Sequence, residues 1–150
     1  MSTKKIIWLI IILLLGIAAW YGYKEYNRTN KNLAEVNPDF KIDAISLLKE
    51  FENDDSLAGS KYNGKVIEVK GMVKSIEQDA GDYYTLVIGD SASLSSLRCV
   101  MDSSEAAGVS LVKPGYQLIV RGACTGYNKD EMGLGADLVL NRCILVDKKE

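Results

Sequence analysis

The chain has 150 residues, with 18 Lys or Arg, 20 Asp or Glu and no His, so its formal net charge is −2 at pH 7. Because His is absent, Ser-His-Asp and Cys-His catalytic arrangements are excluded, and the commonest general base and zinc ligand is missing. The small negative charge provides no general attraction to phosphate backbones or anionic lipids. The length suits one small domain with an additional segment.

The first feature along the chain is an uncharged apolar segment, residues 6–23, which is preceded by Lys4 and Lys5 and followed by Lys24. As a helix this segment reaches about 27 Å, close to the thickness of the hydrocarbon core of a bilayer. A helix also satisfies its own backbone hydrogen bonds in lipid, and aromatic residues near its C-terminal end suit the membrane–water interface. The pattern therefore predicts that residues 1–23 form an N-terminal transmembrane anchor, with a cleaved secretory signal as the alternative.

Basic residues flank both ends of the apolar segment, so charge alone leaves its orientation open. The short N-terminal tail and the long C-terminal part are typical of a signal anchor, which favours an extracytoplasmic C-terminal domain. The following residues, 24–42, are polar, contain several Asn and show no sustained period, which is typical of a stem. The sequence thus predicts a single-pass protein of the cytoplasmic membrane.

Residues 43–64 are predicted to form a helix that leads into the next domain. Asp43 is the predicted N-cap, because its carboxylate can accept a hydrogen bond from a free backbone N–H. Gly59 is the predicted C-terminal stop, since glycine adopts the left-handed conformation that ends many helices. Apolar residues recur between these two positions on one face of a 3.6-residue period: Ala44, Leu47, Leu48, Phe51 and Ala58.

Residues 65–150 have the alternating, β-branched pattern of strands. Five strands are predicted, at 66–76, 83–88, 94–101, 116–125 and 136–146. Gly71 in the first strand indicates a bulge or a sharp bend, and a short helix is predicted between the third and fourth strands. This order predicts a mainly β fold, a five-stranded OB-fold barrel preceded by a short helix. A five-stranded open sheet or a small sandwich would give similar strand signals.

Five short segments match a known family: FENDDSLA at 51–58, KYNGK at 61–65, VKGMV at 69–73, GACTG at 122–126 and DLVLNRC at 137–143. Together they resemble the bacterial envelope-associated OB-fold proteins called tRNA_anti-like, over residues 43–146. The resemblance implies a helix followed by an OB barrel, often behind a signal or an anchor, and no established catalytic activity. A resemblance of fold does not by itself define function.

The chain has three cysteines, Cys99, Cys124 and Cys143, and none lies in a C-x-x-C pair. A thioredoxin-like or clustered zinc site is therefore not expected. An extracytoplasmic domain would permit one disulfide, for which three pairings are possible, and three buried thiols are the alternative. The cysteines of the family resemble Cys124 and Cys143, so the resemblance implies a disulfide between these two.

The OB-fold binds ligands on its second and third strands and on the loops after strands one and four. By this fold analogy, five side chains are candidates for ligand binding: Tyr83, Tyr84, Arg98, Tyr127 and Lys129. Binding of a nucleic-acid strand needs positive charge as well as aromatic rings, but acidic residues outnumber basic ones in both loops. The alternative interpretation is that the tyrosines fill the half-buried face of the sheet.

The sequence therefore predicts a non-enzymatic, membrane-anchored OB-fold module of the cell envelope, without a cofactor or a metal site. It attaches to the membrane through residues 6–23 and binds a protein, a peptide or a small envelope ligand. A single-stranded nucleic-acid-binding protein is the second hypothesis, less favoured because the barrel lacks a basic surface. An enzyme that uses carboxylates is the third, since no recognisable site supports it.

Overall fold

The structure is a computed structural model that describes residues 12–23, 33–79, 81, 83–130 and 135–146. The chain divides into two compact units, Met1–Asn32 and Leu33–Glu150. In the first unit, residues 12–23 form a helix, α1, whose side chains are all exposed. Residues 6–11 of the predicted anchor and 24–32 of the predicted stem lie outside the described residues. Within the described residues, none of the helices combines the length and the apolarity that crossing a membrane requires.

The second unit is mainly β. Its elements are β1 (Phe40–Asp43), α2 (Ala44–Asn53), α3 (Asp55–Tyr62), β2 (Val66–Asp79), β3 (Tyr83–Ile88), β4 (Ser96–Met101), a 3-10 turn (Ser103–Glu105), α4 (Ala106–Val109), β5 (Gln117–Lys129) and β6 (Ala136–Leu145). The five predicted strands correspond to β2–β6, and the predicted short helix between the third and fourth strands is the 3-10 turn with α4. Strand β3 begins and ends at the residues predicted for the second strand. Strands β2 and β5 end three and four residues later than predicted.

The five strands β2–β6 close into a barrel. The strand order is β2-β3-β4-β6-β5, and β5 pairs back onto β2. The β4–β6 pair is parallel, and the other pairs around the barrel are antiparallel. This is the OB-fold predicted from the sequence, and the β2–β5 pairing rules out the open sheet.

Closure depends on β2, which changes partner along its length. Val66–Met72 pairs with β5, and from Val73 onward the strand pairs with β3, with a register shift between Val73 and Ser75. The predicted irregularity at Gly71 therefore lies next to the change of partner. Glycine is needed there for space, because an added Cβ would lie 2.4 Å from Ile88 Cγ2 and 2.9 Å from Ala44 Cβ.

The core lies inside the barrel and under α2. Alternate residues of each strand point inward, as the two-residue period of a strand requires. The fully buried ones include Ile67, Val69, Leu86, Ile88, Leu97, Leu138 and Leu140. Leu47, Leu48 and Phe51 of α2 and Val109 of α4 join the same cluster, so both helices are packed against the barrel through their apolar residues.

The predicted single helix over 43–64 is in fact two helices. Asp43 is the N-cap of α2 as predicted, and its Oδ1 accepts from the backbone N of Ile45 at 3.0 Å. Asp54 then leaves the helical conformation and caps α3, accepting from the backbone N of Leu57 at 2.9 Å. Gly59 lies inside α3, so its predicted role as the stop is wrong. Asp favours an N-cap over a helix interior because its carboxylate binds nearby backbone N–H groups.

The last part of the predicted stem is packed on the barrel. Leu33 is buried, and Phe40–Asp43 forms β1, which pairs in parallel with Ile67–Lys70 of β2. We call residues 33–42 the strap. Apolar and polar residues alternate along it from Ala34 to Ile42, and the partner edge that makes it a strand comes from residues more than twenty positions later in the chain.

We expect Gly71→Ala to destabilise the barrel by about 1–3 kcal/mol, because the new methyl group must displace Ile88 or Ala44. Gly126→Ala in β5 is the matched control, since nothing lies within 4 Å of its added Cβ, and it should change stability by less than about 0.5 kcal/mol. Urea unfolding of the full chain in mild detergent, followed by circular dichroism, measures both. Equal effects of the two substitutions would contradict this account of Gly71.

Candidate binding site

The outer surface of β3 and β4 is the part of the barrel where the fold analogy places a ligand. Leu86 of β3 and Cys99 of β4 are paired and point into the core. The neighbouring pair, Val87 and Arg98, therefore faces outward, because side chains alternate along a strand. By the same alternation Tyr83 lies on the outer surface of β3. We call the outer surface around Tyr83 and Arg98 the β3–β4 face.

Arg98 is held between two carboxylates on this face. Its Nη2 donates to Glu77 Oε2 of β2, and its Nη1 lies 3.8 Å from Asp137 Oδ2 of β6. All three side chains are partly exposed, at 33%, 50% and 40% respectively. Ion pairs with this exposure contribute about 1 kcal/mol or less to stability. Their main effect is on the charge of the face, because the carboxylates of Glu77 and Asp137 offset the positive charge of Arg98.

Tyr83 is the candidate aromatic that a ligand can reach directly. It is the first residue of β3, pairs with Asp79 across the hairpin and is 56% exposed. Lys129, at the end of β5, is also exposed. Of the two loops expected to flank the face, residues 80, 82 and 131–134 lie outside the described residues.

The other two candidate tyrosines pack against the core. Tyr84 is partly buried there, and the Tyr127 ring lies 5.1 Å from the Phe51 ring of α2. Burial raises the pKa of the Tyr127 phenol, and the nearby negative charges of Glu52 and Asp55 raise it further. Tyr84 and Tyr127 thus follow the alternative interpretation, in which tyrosines fill the half-buried side of the sheet. Tyr83 and Arg98 lie on the same outer side of the sheet, with Arg98 opposite Val87 rather than Tyr83, whereas Tyr84 and Tyr127 pack on the core side.

The carboxylate partners of Arg98 were not identified as such from the sequence. Glu77 lies 21 residues before Arg98, and Asp137 lies on a strand that reaches β4 only through the parallel β4–β6 pairing. The sequence indicates only that Glu77 and Asp137 occupy outward-facing positions of their strands, and this does not identify them as partners of Arg98. In the part of the chain that the structure describes, no group of three or more acidic or Cys residues is placed to hold a metal ion.

A cavity of about 370 Å³ lies elsewhere, beside the start of α2. Residues lining it include Asp43, Ala44, Gly71, Met72 and Gln117. None of the five candidate ligand-binding residues takes part. The cavity and the β3–β4 face are therefore separate features of the barrel.

The three cysteines are free and buried, so the disulfide implied between Cys124 and Cys143 is absent from the structure. The register of β5 and β6 places Cys124 opposite Leu140, three positions before Cys143. The Cys143 thiol donates to the carbonyl oxygen of Leu140, with Sγ and O 3.4 Å apart. Burial raises the pKa of the Cys124 thiol to about 11. Burial, together with a contact to Cys99, also raises the pKa of Cys143.

We expect the native chain, purified without reductant, to react very slowly with a thiol reagent at pH 8. A thiol with a pKa near 11 is about one part in a thousand thiolate at that pH, and burial limits access further. After unfolding in urea, all three thiols should react. A disulfide between Cys124 and Cys143 would leave a single reactive thiol until reductant is added, and that result would contradict the structure.

The fold of the second unit is similar to solved structures. A proposed nucleic acid-binding lipoprotein from Klebsiella pneumoniae matches with a TM-score of 0.56 and 18% identity, over 71% of this chain and 91% of that chain. Asparaginyl-tRNA synthetase from Entamoeba histolytica matches with a TM-score of 0.43 and 15% identity, over 59% of this chain and 22% of the synthetase. Aspartyl-tRNA synthetase from the same organism matches with a TM-score of 0.45 and 8% identity, over 77% of this chain and 26% of that one. The likeness to the lipoprotein shows the fold of this chain and not its function.

A comparison with the curated proteins gave no match. The tRNA_anti-like family model matches residues 1–143, which is most of the chain. The helices α2 and α3, followed by a closed five-stranded barrel, are the architecture that the resemblance implied. The chain belongs to the tRNA_anti-like family.

Proposed function

We propose that this protein is a non-enzymatic, membrane-anchored OB-fold binding module of the cell envelope. Its ligand is a protein, a peptide or a small envelope molecule, which contacts the β3–β4 face. The observation that carries the proposal is the combination on this face of an exposed ring, Tyr83, with an arginine that two carboxylates already neutralise.

The charges on the β3–β4 face favour such a ligand over a phosphate backbone. A phosphate that approaches Arg98 meets the carboxylates of Glu77 and Asp137 at the same place. It must either displace Glu77 or accept the repulsion of both acidic groups, because like charges raise the energy of a contact. A peptide can hydrogen-bond to all three side chains and stack on Tyr83 without that repulsion. Aromatic and arginine side chains are also the usual anchors of protein interfaces.

The apolar N-terminal segment supports the membrane anchor. Residues 12–23 are helical and uncharged, and large side chains such as Leu14, Ile17 and Trp20 are more than half exposed. Exposing so much apolar surface to water is unfavourable, and a lipid environment removes that cost. With residues 6–11 added, the same helix would reach the length of a hydrocarbon core. We therefore propose a single-pass anchor, and the short N-terminal tail with the long C-terminal part favours a barrel outside the cytoplasm.

Single-stranded nucleic acid is the second candidate ligand. The Klebsiella pneumoniae lipoprotein that shares the fold is described as a proposed nucleic acid-binder. The OB-fold as a class also binds oligonucleotides on this face. Arg98 and Lys129 are the basic groups that would contact phosphates here, and binding through them would weaken as salt rises.

We expect the full-length protein to pellet with membranes at high speed and to need detergent for release. Leu14→Arg with Ile17→Arg should move it to the supernatant, since each charge near the centre of a membrane helix costs about 2.5–3.5 kcal/mol. Leu57→Arg, at an exposed position of α3, is the matched control and should stay with the membrane. A wild-type chain that dissolves freely without detergent would contradict the anchor.

A reporter fusion tests on which side of the membrane the barrel lies. A C-terminal fusion to a reporter that is active only outside the cytoplasm should be active. An inactive reporter on a membrane-bound, full-length fusion would place the barrel in the cytoplasm instead.

We expect a photoreactive phenylalanine analogue at Tyr83 to crosslink the native chain, in its membrane, to a protein or peptide. The same analogue at Tyr127 is the matched control and should give little product, because that ring packs on Phe51. Arg98→Glu should reduce the Tyr83 crosslink at least about tenfold if the face is the contact surface.

Nucleic acid is tested on the same protein with a labelled single-stranded oligonucleotide. The proposal expects no binding that depends on salt. Binding that falls steeply between 50 and 200 mM salt, and is lost in Arg98→Glu, would establish the second candidate and overturn the first.

A further inference from the structure

Arg121 of β5 forms a clamp on the strap. Its Nη1 donates to the backbone carbonyls of Leu33, Ala34 and Val36, at 3.1, 3.3 and 2.9 Å. The side chain is only 13% exposed. A guanidinium presents its donors in a fixed fork, which suits it to gather several acceptors at once.

Glu68 of β2 holds the guanidinium in place. Its Oε2 accepts from Arg121 Nη2 at 2.7 Å and from Nε at 3.2 Å, and its Oε1 lies 3.1 Å from Lys41 Nζ of the strap. The Arg121 hydrogen bond is the main reason that the pKa of Glu68 is lowered. The Glu68 carboxylate therefore holds the strap in two ways. It positions Arg121, which binds the strap carbonyls, and it pairs directly with Lys41 of the strap.

Beyond the clamp, the strap is held on one edge of β2. Asp39 exchanges two hydrogen bonds with Val66, one from its backbone N at 2.8 Å and one to its carboxylate at 2.9 Å. Phe40 packs edge-on against the Tyr62 ring at 5.0 Å. The barrel closes through the other edge of β2, where β5 pairs. Helix α2 keeps its own cap at Asp43. Closure of the barrel and capping of α2 therefore do not need the strap.

We propose that the strap is a detachable length of the tether, and that the Arg121 clamp decides whether it is docked. This rests on the proposed function in assigning residues 6–23 to a membrane anchor. With the clamp closed, residues 33–42 are bound to the barrel. With it open, residues 33–42 add up to about 33–36 Å of extended chain, and the barrel reaches that much further from its anchor without unfolding. The device sets the reach of the binding face toward its partner.

Amide hydrogen exchange on the full chain in detergent micelles tests the clamp. Arg121→Met keeps the apolar stem of the side chain and removes every donor, so the strap carbonyls lose their partner and Glu68 keeps only Lys41. We expect exchange over residues 33–42 to accelerate about tenfold or more, while β3 and β4 keep their protection. Arg98→Met is the matched control, an arginine paired with carboxylates on the β3–β4 face, and should leave exchange in the strap unchanged.

A second variant covers the case in which the loss of Arg121 beside the buried Glu68 unfolds the domain. Arg121→Met with Glu68→Leu removes both charges and leaves no buried carboxylate beside the strap, so the barrel should stay folded and the strap should still exchange quickly. A strap that stays protected in the double variant, or a strap and barrel that exchange at one common rate, would overturn the proposal. Membrane fractionation of the same variants before detergent is added tests the anchor separately, so a failed anchor and a failed clamp are told apart.

Discussion

The architecture depends on one strand, β2, that pairs on both of its edges. Its first half joins β5 and closes the barrel, and its second half joins β3. Gly71 makes this possible, because any side chain there would collide with Ile88 of β3 and with Ala44 of α2. The edge that β3 leaves unused along the first half of β2 is taken by β1. Barrel closure, the packing of α2 and the docking of the strap therefore all meet on the same strand.

Closure also sorts the candidate residues by chemistry. Once β2–β6 form a barrel, neighbours in the sequence point to opposite sides, so Tyr83 faces solvent while Tyr84 packs on the core. Arg98 faces outward and meets Glu77 and Asp137, which arrive from strands on either side of the β3–β4 pair. The resulting face is polar and partly aromatic and carries no net positive charge. That balance is the physical basis for preferring a peptide-like ligand to a phosphate backbone.

Arg98 and Arg121 of the barrel differ in what they do. Arg98 pairs with carboxylates on partly exposed strands, where solvent screens the interaction and the side chain can exchange partners. Arg121 is mostly buried and spends its donors on the carbonyls of the strap and on Glu68. The first arrangement suits a surface that receives a ligand. The arrangement around Arg121 suits a clamp that opens only when the strap leaves the barrel. Each buried group that loses its hydrogen bond raises the free energy of the open state.

Local order was largely determined by the sequence. The Asp43 cap, the five barrel strands and the glycine beside the bend follow from signals that span a few residues, and these act before any distant contact exists. Tertiary structure alone decided the pairing of the strap and the packing of Tyr127 against Phe51. It also decided the partners of the two arginines, which lie 21 and 39 residues from Arg98 and 53 to 88 residues from Arg121. Such contacts depend on the register of a closed barrel, and a one-residue slip would reverse every side chain, so no local pattern could predict them.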